Sequence, residues 1–91
     1  MEWKLFADLA EHAGDRHVTV DVEPGETVGD ALDALLADRP ALAERVLEDG
    51  SLRSQINVLR NGKDVASQEQ GLETELEEGD ELALFPPVSG G

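Results

Sequence analysis

The chain ends in Phe85-Pro86-Pro87-Val88-Ser89-Gly90-Gly91, and Gly91 holds the one group whose type and placement suggest chemistry. Two glycines carry no side chain, so the final carboxylate sits on bare backbone that can enter a channel too narrow for any Cβ. At about 7% average usage, a Gly-Gly end arises by chance in about 0.5% of chains; the 9 glycines here raise that rate somewhat. The bland alternative is a frayed terminus. A free carboxylate is a poor electrophile, so acyl transfer from Gly91 requires that it first be given a better leaving group. Nothing in the chain matches the machinery for that activation: there is no Walker-type glycine loop with a lysine, no cysteine and no Ser-His-Asp signature. The chain is therefore expected to be a carried substrate rather than an enzyme, with no catalytic residue of its own.

The six residues after Phe85 span about 20 Å when extended, at ~3.3–3.6 Å each. Pro86-Pro87 favours polyproline II and stiffens the root, while Ser89-Gly90-Gly91 stays free to turn. Phe85, Pro86, Pro87, Val88, Ser89 and Gly90 are the expected recognition segment around Gly91. An activated acyl carbon can be taken by an amine, and the only lysines, Lys4 and Lys63, are candidate acceptors. Other chemistries find little support. His12 and His17 lack a metal-ligand spacing, and Glu73-Thr74-Glu75-Leu76-Glu77-Glu78 lacks the ligand and glycine alternation of a calcium loop, so neither a metal nor a bound cofactor is expected.

The elements that must position this tail are legible in the residue pattern. Met1, Trp3 and Leu5 alternate with Glu2, Lys4 and Phe6 in a first strand, with Trp3 and Phe6 expected in the core. Residues 7–14 form a short helical turn closed by Gly14. A second strand, His17–Val22, places Val18, Val20 and Val22 on one side, and Glu23-Pro24-Gly25-Glu26 is a turn. Thr27 opens the main helix, with Asp30 standing in for the usual Glu of a capping box and Val28, Leu32, Leu35 and Leu36 on one face. Pro40 ends that helix or begins a second short one, Pro40–Leu47, and Gly50 closes the region. Strand residues 56–60 lead into Asn61-Gly62, a strong hairpin signal, and return through Lys63-Asp64-Val65. After a loop over 68–76 with a helical turn around Leu72, Glu78-Gly79-Asp80 turns into the last strand, Glu81–Phe85. Pro86-Pro87 cannot donate to a ladder, so the sheet must stop there. The whole is one α+β domain over residues 1–85, with a flexible diglycine tail over 86–91.

Composition narrows the setting. Ninety-one residues make one small domain. The 21 acidic residues against 7 Lys+Arg give a net charge of −14, which excludes nucleic acid as a partner held by phosphate neutralisation. Low aromatic content with high acidity can signal disorder, but 40% hydrophobic residues with clean periodicity oppose it. An acid-rich, lysine-poor surface instead fits a folded protein of a halophilic archaeon, since ~1 M salt shortens the Debye length to ~3 Å and screens the repulsion. The expected consequence is a fold that loosens in dilute buffer; a thermal melt unchanged between low and molar KCl would contradict it. No apolar run reaches the ~18–20 residues of a membrane span, and Met1-Glu2-Trp3-Lys4 lacks a basic leader, so a cytoplasmic monomer is expected.

Taken together, Leu5-Phe6-Ala7, Thr27-Val28-Gly29-Asp30-Ala31-Leu32, Asn57-Val58-Leu59-Arg60-Asn61-Gly62, Glu78-Gly79-Asp80-Glu81-Leu82-Ala83 and the tail resemble the ubiquitin-like β-grasp family. Within it, the match is to small archaeal modifier proteins and the small subunit of molybdopterin synthase. The resemblance covers essentially the whole chain. Thiamine sulfur carriers also end in Gly-Gly, but Phe85-Pro86-Pro87-Val88 resembles the molybdopterin branch more closely. The resemblance implies a mixed sheet of four to five strands packed on one main helix with short accessory helices. It also implies an activating enzyme that uses ATP to adenylate Gly91, followed by conversion to a thiocarboxylate for sulfur transfer or by an isopeptide to lysines of target proteins. On the sulfur branch the partner is the molybdopterin synthase large subunit. A dedicated sulfur carrier without conjugation, or a non-covalent interaction module with an incidental tail, are the alternatives. The exposed sheet face around Phe85 is the expected docking surface, unless Phe85 is simply core.

Overall fold

The computed structural model describes residues 1–53 and 56–86. Its main sheet contains β1 (Glu2–Leu5), β2 (His17–Thr19), β5 (Asn57–Arg60), β6 (Lys63–Asp64) and β7 (Glu81–Phe85) in the order β2-β1-β7-β5-β6. The first and last strands lie side by side at its centre and run parallel, with Leu5 opposite Leu84; every other pairing is antiparallel. The chain therefore leaves the sheet from its middle strand, held on both sides up to Leu84 and on the β5 side alone at Phe85, which pairs with Asn57.

Three helices accompany the sheet: α1 (Asp8–Ala13), α2 (Val28–Asp38) and α3 (Pro40–Val46). The reciprocal cap expected for α2 is present, with Asp30 N–H donating to Thr27 Oγ1 at 3.1 Å and Thr27 N–H to Asp30 Oδ2 at 3.0 Å. Its buried face carries Val28, Ala31, Leu32, Leu35 and Leu36. Packed against it are the inward residues of the sheet, Trp3, Leu5, Val18, Val58, Leu82 and Leu84. Gly29 has a steric reason: a Cβ there would lie 3.2 Å from the Leu72 carbonyl oxygen, where a 3₁₀ turn (Gly71–Glu73) crosses the start of the helix. No helix among the described residues is long and apolar enough to cross a membrane.

Three local expectations need correction. The second strand stops at Thr19 rather than Val22: the paired register ends at Glu2 and Thr19, and past it only Val20 is joined across, to Met1. Val20 and Val22 remain buried, held by hydrogen bonds from Val20 N–H to the Met1 carbonyl and from Val22 N–H to the Val20 carbonyl. A small hairpin, β3 (Leu47–Glu48) and β4 (Ser51–Leu52), follows α3 around Asp49-Gly50, both with positive φ. Lastly, Phe6 is not core.

The start of β7 is fastened by one carboxylate. Asp80 Oδ2 accepts from Arg60 Nε and from the Glu77 N–H, each at 2.7 Å, and Oδ1 accepts from Asn61 Nδ2 at 2.8 Å. Asn61 in turn accepts from the Glu81 N–H at 3.0 Å, so the β5–β6 hairpin is tied to the strand that carries the tail. Partial burial pushes the Asp80 carboxyl up, but the Glu77 N–H, the Asn61 amide and Arg60 outweigh it and hold the group below its ordinary value of 3.8. A depressed carboxyl stabilises the fold above the unfolded-state value, and that stability is lost as pH falls through the folded-state one. Asp80→Asn is expected to cost about 1.5–3 kcal/mol at neutral pH, the range for hydrogen bonds to a charged group. In urea titrations the gap between wild type and variant should close as pH falls below 3.8; a gap independent of pH would contradict the charged latch.

Candidate functional site at the root of the tail

Strand alternation decides what surrounds the tail. In β7, Leu82 and Leu84 are fully buried, so Ala83 and Phe85 face outward, away from α2. On β1 the same rule buries Trp3 and Leu5 and turns Glu2 and Lys4 outward. Phe6 continues that outward series. It is 39% exposed and lies parallel to Phe85, with ring centroids 4.1 Å apart and planes 8° from each other. The expectation that Phe6 is core fails for this reason, whereas Trp3 is core at 0% exposure. Phe85 is half-buried on the outer face, not in the core.

Ala7 holds this shelf in place. Its φ of 54° and ψ of −133° form a backbone conformation that an alanine adopts at a cost of order 1–3 kcal/mol. The bend swings the chain off the sheet into α1 and leaves the Phe6 ring over Phe85. Beside the pair opens a depression of about 800 Å³, lined among others by Lys4, Phe6, Ala7, Arg16 and His17. Lys4 Nζ is 3.3 Å from Glu81 Oε1, and His17 Nδ1 is 3.7 Å from Glu2 Oε2. Arg16 has no ion pair among the described residues. Asp8 and Glu11 line the same depression, so its rim mixes acidic and basic side chains.

Stacked rings of this kind contribute about 0.5–1.5 kcal/mol beyond the area they bury. A double-mutant cycle of Phe6→Ala and Phe85→Ala on urea midpoints is expected to give a coupling near 1 kcal/mol. Strict additivity would show that the rings do not interact in solution.

The structure thus brings together Phe85, Pro86 and Lys4 from the sequence expectations and adds Phe6 and Arg16. Lys63 stands apart, exposed beside the hairpin turn, where Asn61 and Gly62 take φ of 53° and 81°. Pro87, Val88, Ser89, Gly90 and Gly91 lie outside the described residues. The arrangement presents an aromatic shelf at the exit of a central strand.

The architecture and the full run of sequence place the chain in a class. It belongs to the ThiS family, whose model matches residues 3–91, and its fold is the β-grasp of ubiquitin-like proteins. Over 92 aligned positions it is 62% identical to small archaeal modifier protein 1 of Haloferax volcanii, covering 100% of both chains. A crystal structure of that relative superimposes with a TM-score of 0.87 at 61% identity, covering 100% of this chain and 98% of the other. A chain of the Amycolatopsis orientalis BexX/CysO complex is 30% identical, with a TM-score of 0.79 over 99% of this chain and 98% of that one.

Proposed function

We propose that this chain is a ubiquitin-like modifier and sulfur carrier whose Gly91 carboxylate is adenylated by an ATP-dependent activating enzyme. The adenylate then follows one of two routes: lysine amines of target proteins take it as an isopeptide, or sulfur replaces the activated oxygen to give a thiocarboxylate. The observation that carries this reading is the match to a small archaeal modifier protein over the full length of both chains, tail included. The resemblance of Phe85-Pro86-Pro87-Val88 to the molybdopterin synthase small subunit supports the sulfur route, with the large subunit as recipient. The Haloferax relative supports a saline cytoplasm as the setting for the acidic shell.

In this account the shelf of Phe6 and Phe85 docks on the activating enzyme, and Arg16 meets a carboxylate there. Buried aromatic anchors at an interface are worth about 2 kcal/mol or more when truncated. Phe6→Ala is therefore expected to weaken binding to the activating enzyme at least 10-fold, with a much smaller loss of stability because the ring is already 39% exposed. Unchanged affinity would remove the shelf from the docking surface.

The functional reading is tested on protein isolated from its native cells. Intact mass is expected to show a fraction in which one oxygen is replaced by sulfur, and denaturing blots to show higher-mass conjugates. Both should vanish when Gly90 and Gly91 are deleted. Persistence of either species in the deletion variant would refute the tail as the reacting group.

A further inference from the structure

The main sheet has two outer strands, β2 and β6, and the chain protects only one of them. An open edge presents free N–H and C=O groups, which proteins blunt with charged residues or very short strands. β6 is two residues long and reads Lys63-Asp64. β2 reads His17-Val18-Thr19, with no lysine, proline or carboxylate. The Arg16 carbonyl accepts from the Leu5 N–H at 2.7 Å, and the Val20 N–H donates to the Met1 carbonyl at 2.8 Å. Even-numbered residues therefore face β1, and by strand alternation His17 and Thr19 direct their N–H and C=O groups to the open side.

Along that edge, beside the C-terminal half of α2, runs a depression of about 450 Å³ lined by Thr19, Val20, Asp21, Ala34, Ala37 and Asp38. Its helix wall is low because it is built from alanines, Ala34 half-buried and Ala37 exposed. Val18 and Val20 are buried toward α2, so a strand added beside β2 would lay every second side chain over the two alanines. The charge of the lining has one sign. Asp21 and Asp38 belong to it, and among the described residues no basic side chain does. Asp21 has no ion pair among those residues, and Asp38 shares Arg39 with Asp15. Asp38 also lies in the last turn of α2, where the negative end of the helix favours a cation and no basic residue of that turn supplies one.

We infer that this edge docks an extended segment of a partner protein, in which small β-branched side chains alternate with polar ones beside a Lys-Arg pair. The segment's backbone pairs with His17 and Thr19, and its small apolar side chains fill the space over Ala34 and Ala37. Its basic end meets Asp21 and Asp38. A small molecule would leave the edge groups unpaired, and an acidic segment would meet like charge. Molar salt shortens the Debye length to ~3 Å, so backbone pairing and apolar burial hold the segment while contact charges select it. The occupant leaves the tail free. Thr19 pairs with Glu2, and Glu2 with Glu81 at the far end of β7 from Phe85. The groove thus lies about 13 Å along the strands from the tail root, at ~3.3 Å per residue, and about 10 Å to the side. Docking there is independent of what becomes of Gly91.

The test titrates the isotope-labelled full chain in molar KCl with two blocked peptides, Lys-Arg-Val-Thr-Val-Thr and Val-Thr-Val-Thr-Lys-Arg. They bring the basic pair to Asp21 in antiparallel and parallel addition, respectively. At least one is expected to give saturable NMR amide shifts at His17, Val18, Thr19, Ala34 and Ala37, with half-saturation below about 1 mM. Replacing Lys-Arg by Glu-Glu should weaken binding about 3-fold or more, the scale of exposed ion pairs. Ala37→Arg obstructs the groove from an exposed helical position that tolerates it, and should lower affinity about 10-fold or more. Thr19→Pro removes one outward N–H and leaves the ladder to β1 intact, with a similar expected loss. If Thr19→Pro does not fold, Ala37→Arg decides alone. No saturable shift with either peptide, shifts centred on Phe6 and Phe85, or full affinity for either folded variant overturns the inference. Equal binding of the Glu-Glu peptides overturns it as well.

Discussion

Gly90→Val is expected to lower the rate of adenylation at Gly91 by at least 100-fold while leaving the melting curve of the domain unchanged. The reason is steric. Glycine gives the tail a cross-section of backbone alone and access to backbone conformations that a β-branched residue is denied. An activating enzyme that selects this terminus must surround it closely enough to exclude other chains, and the added branched side chain then meets the channel wall. A 100-fold loss corresponds to about 2.7 kcal/mol of lost transition-state stabilisation, within reach of one such clash. Gly90→Ala should fall between the two, since its single methyl group is the smallest obstruction. Pyrophosphate exchange with the three proteins at equal concentration measures the series. Equal rates for wild type and Gly90→Val would mean that the tail is read without a narrow channel.

The second large effect concerns the body. Trp3→Ala is expected to destabilise the fold by about 3–5 kcal/mol, the range for removing a large aromatic side chain from a core. Trp3 is fully buried on β1, flanked by β2 and β7, and its Nε1–H donates to the Ala31 carbonyl of α2 at 3.1 Å. It thus joins the centre of the sheet to α2. A domain of this size has roughly 5–14 kcal/mol of stability in total, so this single truncation removes a large part of it. Trp3→Phe separates the two contributions. It keeps most of the ring volume and loses the hydrogen bond, at a cost of about 1–2 kcal/mol. Urea midpoints in molar KCl would show both, and a Trp3→Ala loss under about 1 kcal/mol would contradict the packing described.

Where the sequence carried a strong local signal, the structure follows it. The Thr27–Asp30 cap, the Asn61-Gly62 turn, Pro40 at the start of α3 and Gly14 closing α1 each impose a backbone state that few alternatives satisfy. The small hairpin of β3 and β4 was legible in the same way, because Asp49-Gly50 flanked by Leu47 and Leu52 is a turn signal of the same chemistry. Reading Gly50 only as a helix stop hides it. The position of Phe6 was also present in the alternation, since Phe6 shares the parity of Glu2 and Lys4; hydrophobicity argued for the core and periodicity against it. What the sequence could not supply is partnership across distance. The stack of Phe6 on Phe85, the bond from Trp3 to Ala31 and the latch between Arg60 and Asp80 join residues far apart in the chain. Only the adjacency of β1 and β7 brings the tail root and Phe6 together.

Both proposed fates of this chain depend on activation of a single carboxylate, and the most direct measurement is the mass of the chain itself. After brief reaction with ATP and the activating enzyme, followed by acid quench, the full chain is expected to carry one acyl-linked AMP that fragments to the terminal glycine, Gly91. An adenylate at any other residue, or an equal adduct on a chain lacking Gly90 and Gly91, would contradict it.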